Sequence, residues 1–127
     1  MTEAVDSLTE LERFAGAVAA PVMIVAPQVD RLWMNSAARA LHGLSPLDTC
    51  PLSLSAHLAT WQVSDAQGRA QPIDHVRRFL CGLHEALVEN ELHVRHLANG
   101  RSWTASYRVA PHGSETVVTI EDLTERR

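Results

Sequence analysis

Seven histidines, two cysteines and three tryptophans are the side chains through which this sequence could do chemistry. Histidine ligates zinc or haem iron and carries protons, and a cysteine thiolate acts as a nucleophile or a metal ligand. Spacing narrows these options. His93 and His96 stand three apart on a strand-like segment, where successive side chains face opposite sides, so they do not share one ion. No Cys-x-x-Cys pair supports a zinc site, and no nucleophile elbow, phosphate loop or zincin helix occurs, so the chain reads as a non-enzyme with no metal site. Trp33, Trp61 and Trp103 are the largest apolar groups, able to line a cavity or simply to fill a core. Asp122 and Thr124 follow the last apolar run. A carboxylate and a hydroxyl at alternate positions can pair with backbone amides and arginines, fixing the direction in which the chain leaves a sheet.

These groups sit in a chain of 127 residues that is 46% hydrophobic and 20% charged, which suits one globular domain and disfavours disorder or a disulfide scaffold. A formal charge of -4 without any basic run argues against a nucleic-acid binder, whose affinity would rest on phosphate neutralisation. The longest apolar stretch, residues 14 to 26, is broken by Gly16 and Pro21 and falls short of the roughly 20 residues a bilayer span needs. Acidic Glu3 and Asp6 occupy the place of a signal peptide's basic region, so the expected address is cytoplasmic, with Cys50 and Cys81 as reduced thiols.

The elements that position the chemistry can be read from periodicity. Ser7-Leu8-Thr9-Glu10 has the capping-box pattern, and Leu8, Leu11, Phe14, Ala15 and Val18 form one helical stripe closed by Pro21. Residues 1–20 are therefore read as an amphipathic helix and a possible dimerisation element. Val22–Val25 and Leu32–Met34 form a hairpin, and Asn35-Ser36 caps a short helix that stops at Gly43. Residues 44–60, broken by Pro46 and Pro51, are expected as loops and brief helices. Asp65–Arg69 is a turn, Pro72 opens a helix carrying Val76, Phe79, Leu80 and Leu83 on one face, and three antiparallel strands joined at Asn99-Gly100 and Pro111–Ser114 complete the chain.

This order resembles a PAS domain, and local motifs agree with it. Leu32-Trp33-Met34-Asn35-Ser36-Ala37-Ala38, ending in Leu41-His42-Gly43, is similar to that family's second strand and first helix. Asp65-Ala66-Gln67-Gly68-Arg69, with Pro72 and Arg78–Gly82, resembles the approach to the long helix in bacterial sensor-kinase PAS modules. Asn99–Trp103 resembles the turn between the third and fourth strands, and Asp122-Leu123-Thr124 the C-terminal Asp-x-Thr signature.

The resemblance implies an α+β fold, a five-stranded antiparallel sheet with short helices on one face and the N-terminal amphipathic helix, with residues 21–127 as the sensory domain. It implies a signal-sensing or dimerising input module of a larger bacterial signalling protein, such as a sensor kinase of a two-component system. A homodimer, a C-terminal effector and a small-molecule ligand are the partners, without nucleic acid or membrane. Asp122 and Thr124 become the signal output. Haem is the cofactor to consider, held by His75 at the start of the long helix, with Phe79, Trp33, Trp61 and Trp103 around it. In Arg78-Phe79-Leu80-Cys81 the cysteine follows the Phe-Leu pair, so the photoreactive pattern of the flavin-binding relatives is absent. A gas or redox sensor built on haem and a purely protein-binding module with a filled core are the alternatives.

Overall fold

The computed structural model describes residues 10–44, 52–81 and 88–123. Helix α1 (Glu10–Gly16) precedes strand β1 (Val22–Ala26), which turns through Pro27–Val29 into β2 (Arg31–Met34). Asn35 caps α2 (Ser36–Leu41). A two-residue strand β3 (Leu52–Ser53) leads into α3 (Leu54–Thr60), which passes directly into β4 (Trp61–Ser64). Helix α4 (Ile73–Leu80) and the strands β5 (Val88–His96), β6 (Ser102–His112) and β7 (Glu115–Asp122) follow.

Among the described residues all seven strands join one antiparallel sheet in the order β3-β2-β1-β7-β6-β5-β4, curled into a half-barrel. The expected five-stranded sheet with helices on one face is therefore corrected to seven strands with only short helices. The two unforeseen strands extend the sheet at its edges. β3 pairs with β2 through Arg31↔Ser53 and Leu32↔Leu52, and two residues are too few to show a period. β4 pairs with β5 from Trp61↔His96 to Ser64↔His93. Its alternation of buried and half-buried residues is present, but it starts at the helix end with no Gly or Pro to mark the boundary.

Helices also lie on both faces. Met23, Val25, Leu32 and Met34 pack with Ala38 of α2, Leu54 and Leu58 of α3, and Val76, Phe79 and Leu80 of α4. On the opposite face Val22, Ile24 and Trp33 pack with Ala15 of α1. The run from Val22 to Val25 is buried throughout because both sides of β1 are covered. Each such fully buried aliphatic side chain contributes about 1.5–3 kcal/mol of transfer free energy.

Helix α1 ends at Gly16 rather than running to Pro21. The carbonyls of Ala15, Val18 and Ala20 accept from the buried Asn35 amide, that of Ala15 also from the Val18 N–H at 3.1 Å, which satisfies the segment after the helix end. The Asp65 turn is closed by its carboxylate, which accepts from the N–H groups of Gln67 and Arg69 at 3.0 and 2.9 Å, and Gly68 supplies the positive φ of 83°. Among the described residues no helix is long and apolar enough to cross a membrane.

Candidate functional site

The structure separates the residues that the sequence groups into one pocket. His75 is exposed on the first turn of α4, at the rim of an open groove of about 440 Å³ that Asp65, Gln67, Gln71 and Glu91 make polar. Phe79 reaches that groove from the core. Trp61 and Trp103 belong to the main core, with ring centroids 4.9 Å apart. Trp33 lies on the far face of the sheet beneath α1, where its ring comes within 4.0 Å of the place a side chain at Gly16 would take. Of the two roles open to it, lining a cavity or filling a core, it packs in the small core under α1, because strand alternation sends it away from its neighbours Leu32 and Met34.

Behind Trp61 the space between sheet and helices shrinks to a cavity of about 30 Å³, lined by Met23, His42, His57, Leu58, Tyr107 and neighbouring aliphatic residues. That is room for one or two waters, far below the roughly 300–1,000 Å³ of a typical ligand pocket. Haem requires an axial ligand on an apolar wall. His75 stands at the rim of an open groove whose apolar lining is interrupted by Asp65, Gln67, Gln71 and Glu91, so these residues do not fit haem.

What the fold does assemble is a cluster of imidazoles around Trp61. The ring centroids of His42, His57 and His96 lie 5.3, 6.4 and 4.7 Å from that of Trp61, the first and last edge-on. His42 also meets the rings of His57 at 5.2 Å and Trp103 at 4.9 Å. Each arrives from a different element: His42 caps the end of α2, His57 rides on α3, and His96 ends β5 opposite Trp61 of β4. His93 points to the other face, where its Nδ1 meets the Thr104 hydroxyl at 3.1 Å.

Hydrogen bonds assign the tautomers. His42, only 4% exposed, donates from Nδ1 to the Ala38 carbonyl at 2.7 Å, leaving Nε2 of the neutral ring as an acceptor. His96 is the reverse: its Nδ1 accepts from the N–H groups of Ala98 and Asn99, both at 3.1 Å, so its proton sits on Nε2. Burial drives His42 from its ordinary 6.5 to about 4, against its bond to Ala38, with the Arg101 charge adding to the fall. Burial and the neighbouring His42 push His57 to about 3. His57 is half-buried as a residue, so water screens part of this effect and the enclosed His42 carries the larger consequence. Both rings are neutral at physiological pH, His42 bonded to the Ala38 carbonyl and His57 in contact with the rings of His42 and Trp61. The sequence placed His42 only in a helix-stop motif, and nothing in the spacing of 42, 57 and 96 shows that they converge.

A second arrangement joins the N-terminal helix to the sheet. Asn35, 2% exposed, accepts at Oδ1 from the N–H groups of Val22 and Ala38 at 3.0 and 2.9 Å. Its amide donates to the carbonyls of Ala15, Val18 and Ala20 at 3.0, 3.2 and 2.9 Å. The helix stripe itself divides: Ala15 is buried, Val18 packs beside it, and Phe14 is 71% exposed. Leu8 lies outside the described residues, as does the side chain of Leu11. Asp122 ends β7 on the surface, Leu123 donates its N–H to the Thr104 carbonyl at 2.8 Å, and Thr124 lies outside the described residues.

Cys81, half-buried after α4, is a free thiol whose pKa burial raises against the opposing charge of Arg77, which disfavours the reactive thiolate. Cys50 lies outside the described residues. Among the described residues no group of three or more His, Cys, Asp or Glu side chains could hold a metal ion. Compared with protein-family models and with curated proteins, the chain matches none.

Proposed function

We propose that this chain is a PAS-type signalling module of the cytoplasm, the input part of a larger bacterial signalling protein, which works through packing and self-association rather than through catalysis. The observation that carries the reading is Asn35, whose five hydrogen bonds lock the end of α1 to β1 and α2. Directly beside this lock, Ile120 of β7 donates its N–H to the carbonyl of Pro21 at 3.0 Å. The segment that enters the sheet and the strand that leaves it at Asp122 are thus bonded to each other. In this reading a change in the angle of α1 would reach the exit strand through these two links, a contiguous path of the kind that could carry a signal. The small internal cavity favours the form with a filled core over the haem sensor.

In this reading Phe14 belongs to the surface through which two copies meet. Analytical ultracentrifugation of the wild-type chain and of Phe14→Asp tests it. A wild-type dimer that becomes monomeric in the variant supports self-association through α1. A wild type that is monomeric at every concentration, or a variant that dimerises equally well, overturns it. An absorption spectrum and native mass of the purified protein test the filled core, which a bound haem or flavin would contradict.

A further inference from the structure

A cleft of about 270 Å³ opens on the side of Trp61 away from the internal cavity, and Thr60, His96 and Asn99 line it together with His42 and His57. Among the described residues only His42, His57 and Trp61 border both spaces. These three rings are the wall between them. We propose that this cleft binds a small, uncharged, planar heteroaromatic molecule that carries an N–H donor next to a hydrogen-bond acceptor, as a nucleobase does.

Three features select that chemistry. The wall is aromatic, and a flat ring gains offset or edge-on contact with Trp61 in the same way that the imidazoles already do. Two histidines of the lining are held in opposite tautomers by backbone bonds to Nδ1, which leaves an acceptor at His42 Nε2 and a donor at His96 Nε2–H for a ligand that offers an N–H and a carbonyl or ring nitrogen. No Asp, Glu, Lys or Arg lines the cleft among the described residues, and Arg101, packed beside Gly43, donates to the Leu41 and Ala40 carbonyls, so a charged ligand would lose hydration for little counter-charge. Burial keeps His42 and His57 neutral, so neither adds a charge to the wall. Exposed Ala56 at the edge leaves the cleft open to solvent. The inference goes beyond the signalling role by naming what the module would detect, and it stands on different residues from those of self-association.

The experiment is a titration of the full chain, labelled at histidine and tryptophan, with uracil, adenine and the charged control benzoate, followed by proton–nitrogen correlation spectra. Uracil or adenine is expected to give saturable shifts of the Trp61 indole N–H and of the His42 and His96 rings, with benzoate giving none. Ala56→Trp, which fills the cleft from an exposed position, and His96→Phe, which removes the donor, should each weaken binding by about tenfold or more. Phe14→Asp should leave it unchanged. The proposal is overturned if neither base gives saturable shifts at millimolar concentration, if benzoate binds as well as they do, or if Ala56→Trp binds with wild-type affinity. Sedimentation of the same samples reports self-association separately, so failure of one idea is distinguishable from failure of the other.

Discussion

The Oδ1 atom of Asn35 accepts the N–H of Val22 at 3.0 Å across thirteen residues of sequence, so one amide that caps α2 also holds the start of the first strand. Its Nδ2 group reaches back to three carbonyls of the segment after α1. Every polar atom of this buried side chain is used, which makes it the joint between the two faces of the sheet.

Replacing Asn35 with Ala leaves the Val22 and Ala38 amides without their side-chain acceptor in a buried site, at about 1–3 kcal/mol per group, while the Ala15 carbonyl keeps the N–H of Val18 at 3.1 Å. The expected loss in urea unfolding is therefore on the order of 3 kcal/mol or more. Asn35→Asp keeps the acceptor but turns a second oxygen toward three carbonyls, and should be no better. Amide exchange should rise at Ala17 and Val18 before it rises in β6; equal protection in wild type and variant would show that α1 does not depend on this joint.

The buried imidazole of His42 predicts an acid-sensitive fold. Its folded pKa of about 4 lies below the ordinary 6.5, so between these values the unfolded chain binds a proton that the folded one does not. Stability is then unaffected above about pH 6.5 and falls as pH drops toward 4. A shift of this size corresponds to about 3 kcal/mol for His42 alone, and His57 acts in the same direction. Urea midpoints at pH 7 and pH 4.5 should differ by less in His42→Gln than in wild type, whereas an identical pH slope would exclude His42 as the source.

Gly43 has φ of 74°, and a β-carbon there would stand 3.1 Å from Cδ of Arg101. The same arginine donates to the carbonyls of Leu41 and Ala40 at 3.1 and 3.2 Å, closing the end of α2. Gly113 also has a positive φ, 62°, but open space around it. Gly113→Ala should cost about 1–2 kcal/mol for conformation alone, and Gly43→Ala should cost more because Arg101 must also move. Thermal melts of both variants that show the reverse order would disprove the role given to Arg101.

Within the core, the indole Nε1–H of Trp103 donates to the Tyr107 hydroxyl at 3.0 Å, and both residues are buried. Burial pushes the phenol's pKa upward, against the indole hydrogen bond, with Asp122 adding to the rise. Tyr107→Phe leaves the indole N–H unpaired and should destabilise by about 1–3 kcal/mol. A double-mutant cycle with Trp103→Phe checks this, since additive losses would mean that the bond contributes nothing.

Where one element faces one environment, its periodicity was readable. Trp103, Ala105, Tyr107 and Val109 alternate along β6 and are all buried, and Val76, Phe79 and Leu80 share the inner face of α4. Alternation also separated His93 from His96. The misreadings arose where short range was insufficient. β3 has no room for a pattern, β4 starts without a boundary signal, and Trp33 took its side from the sheet rather than from its size. His75, which the resemblance offers as a haem ligand, is exposed on the first turn of α4.

Local chemistry thus determined the caps, the turns and the apolar faces, because each depends on residues no more than a few positions apart. Asn35 as a cap is of that kind. Its hold on Ala15 and Val22, and the meeting of His42, His57 and His96 around Trp61, were decided only when strands distant in sequence came into register. Burial then set the charge state of the imidazoles and left a cavity of about 30 Å³ where a large cofactor would have needed space. Both follow from how closely the layers pack, and packing is a property of the whole sheet rather than of any segment within it.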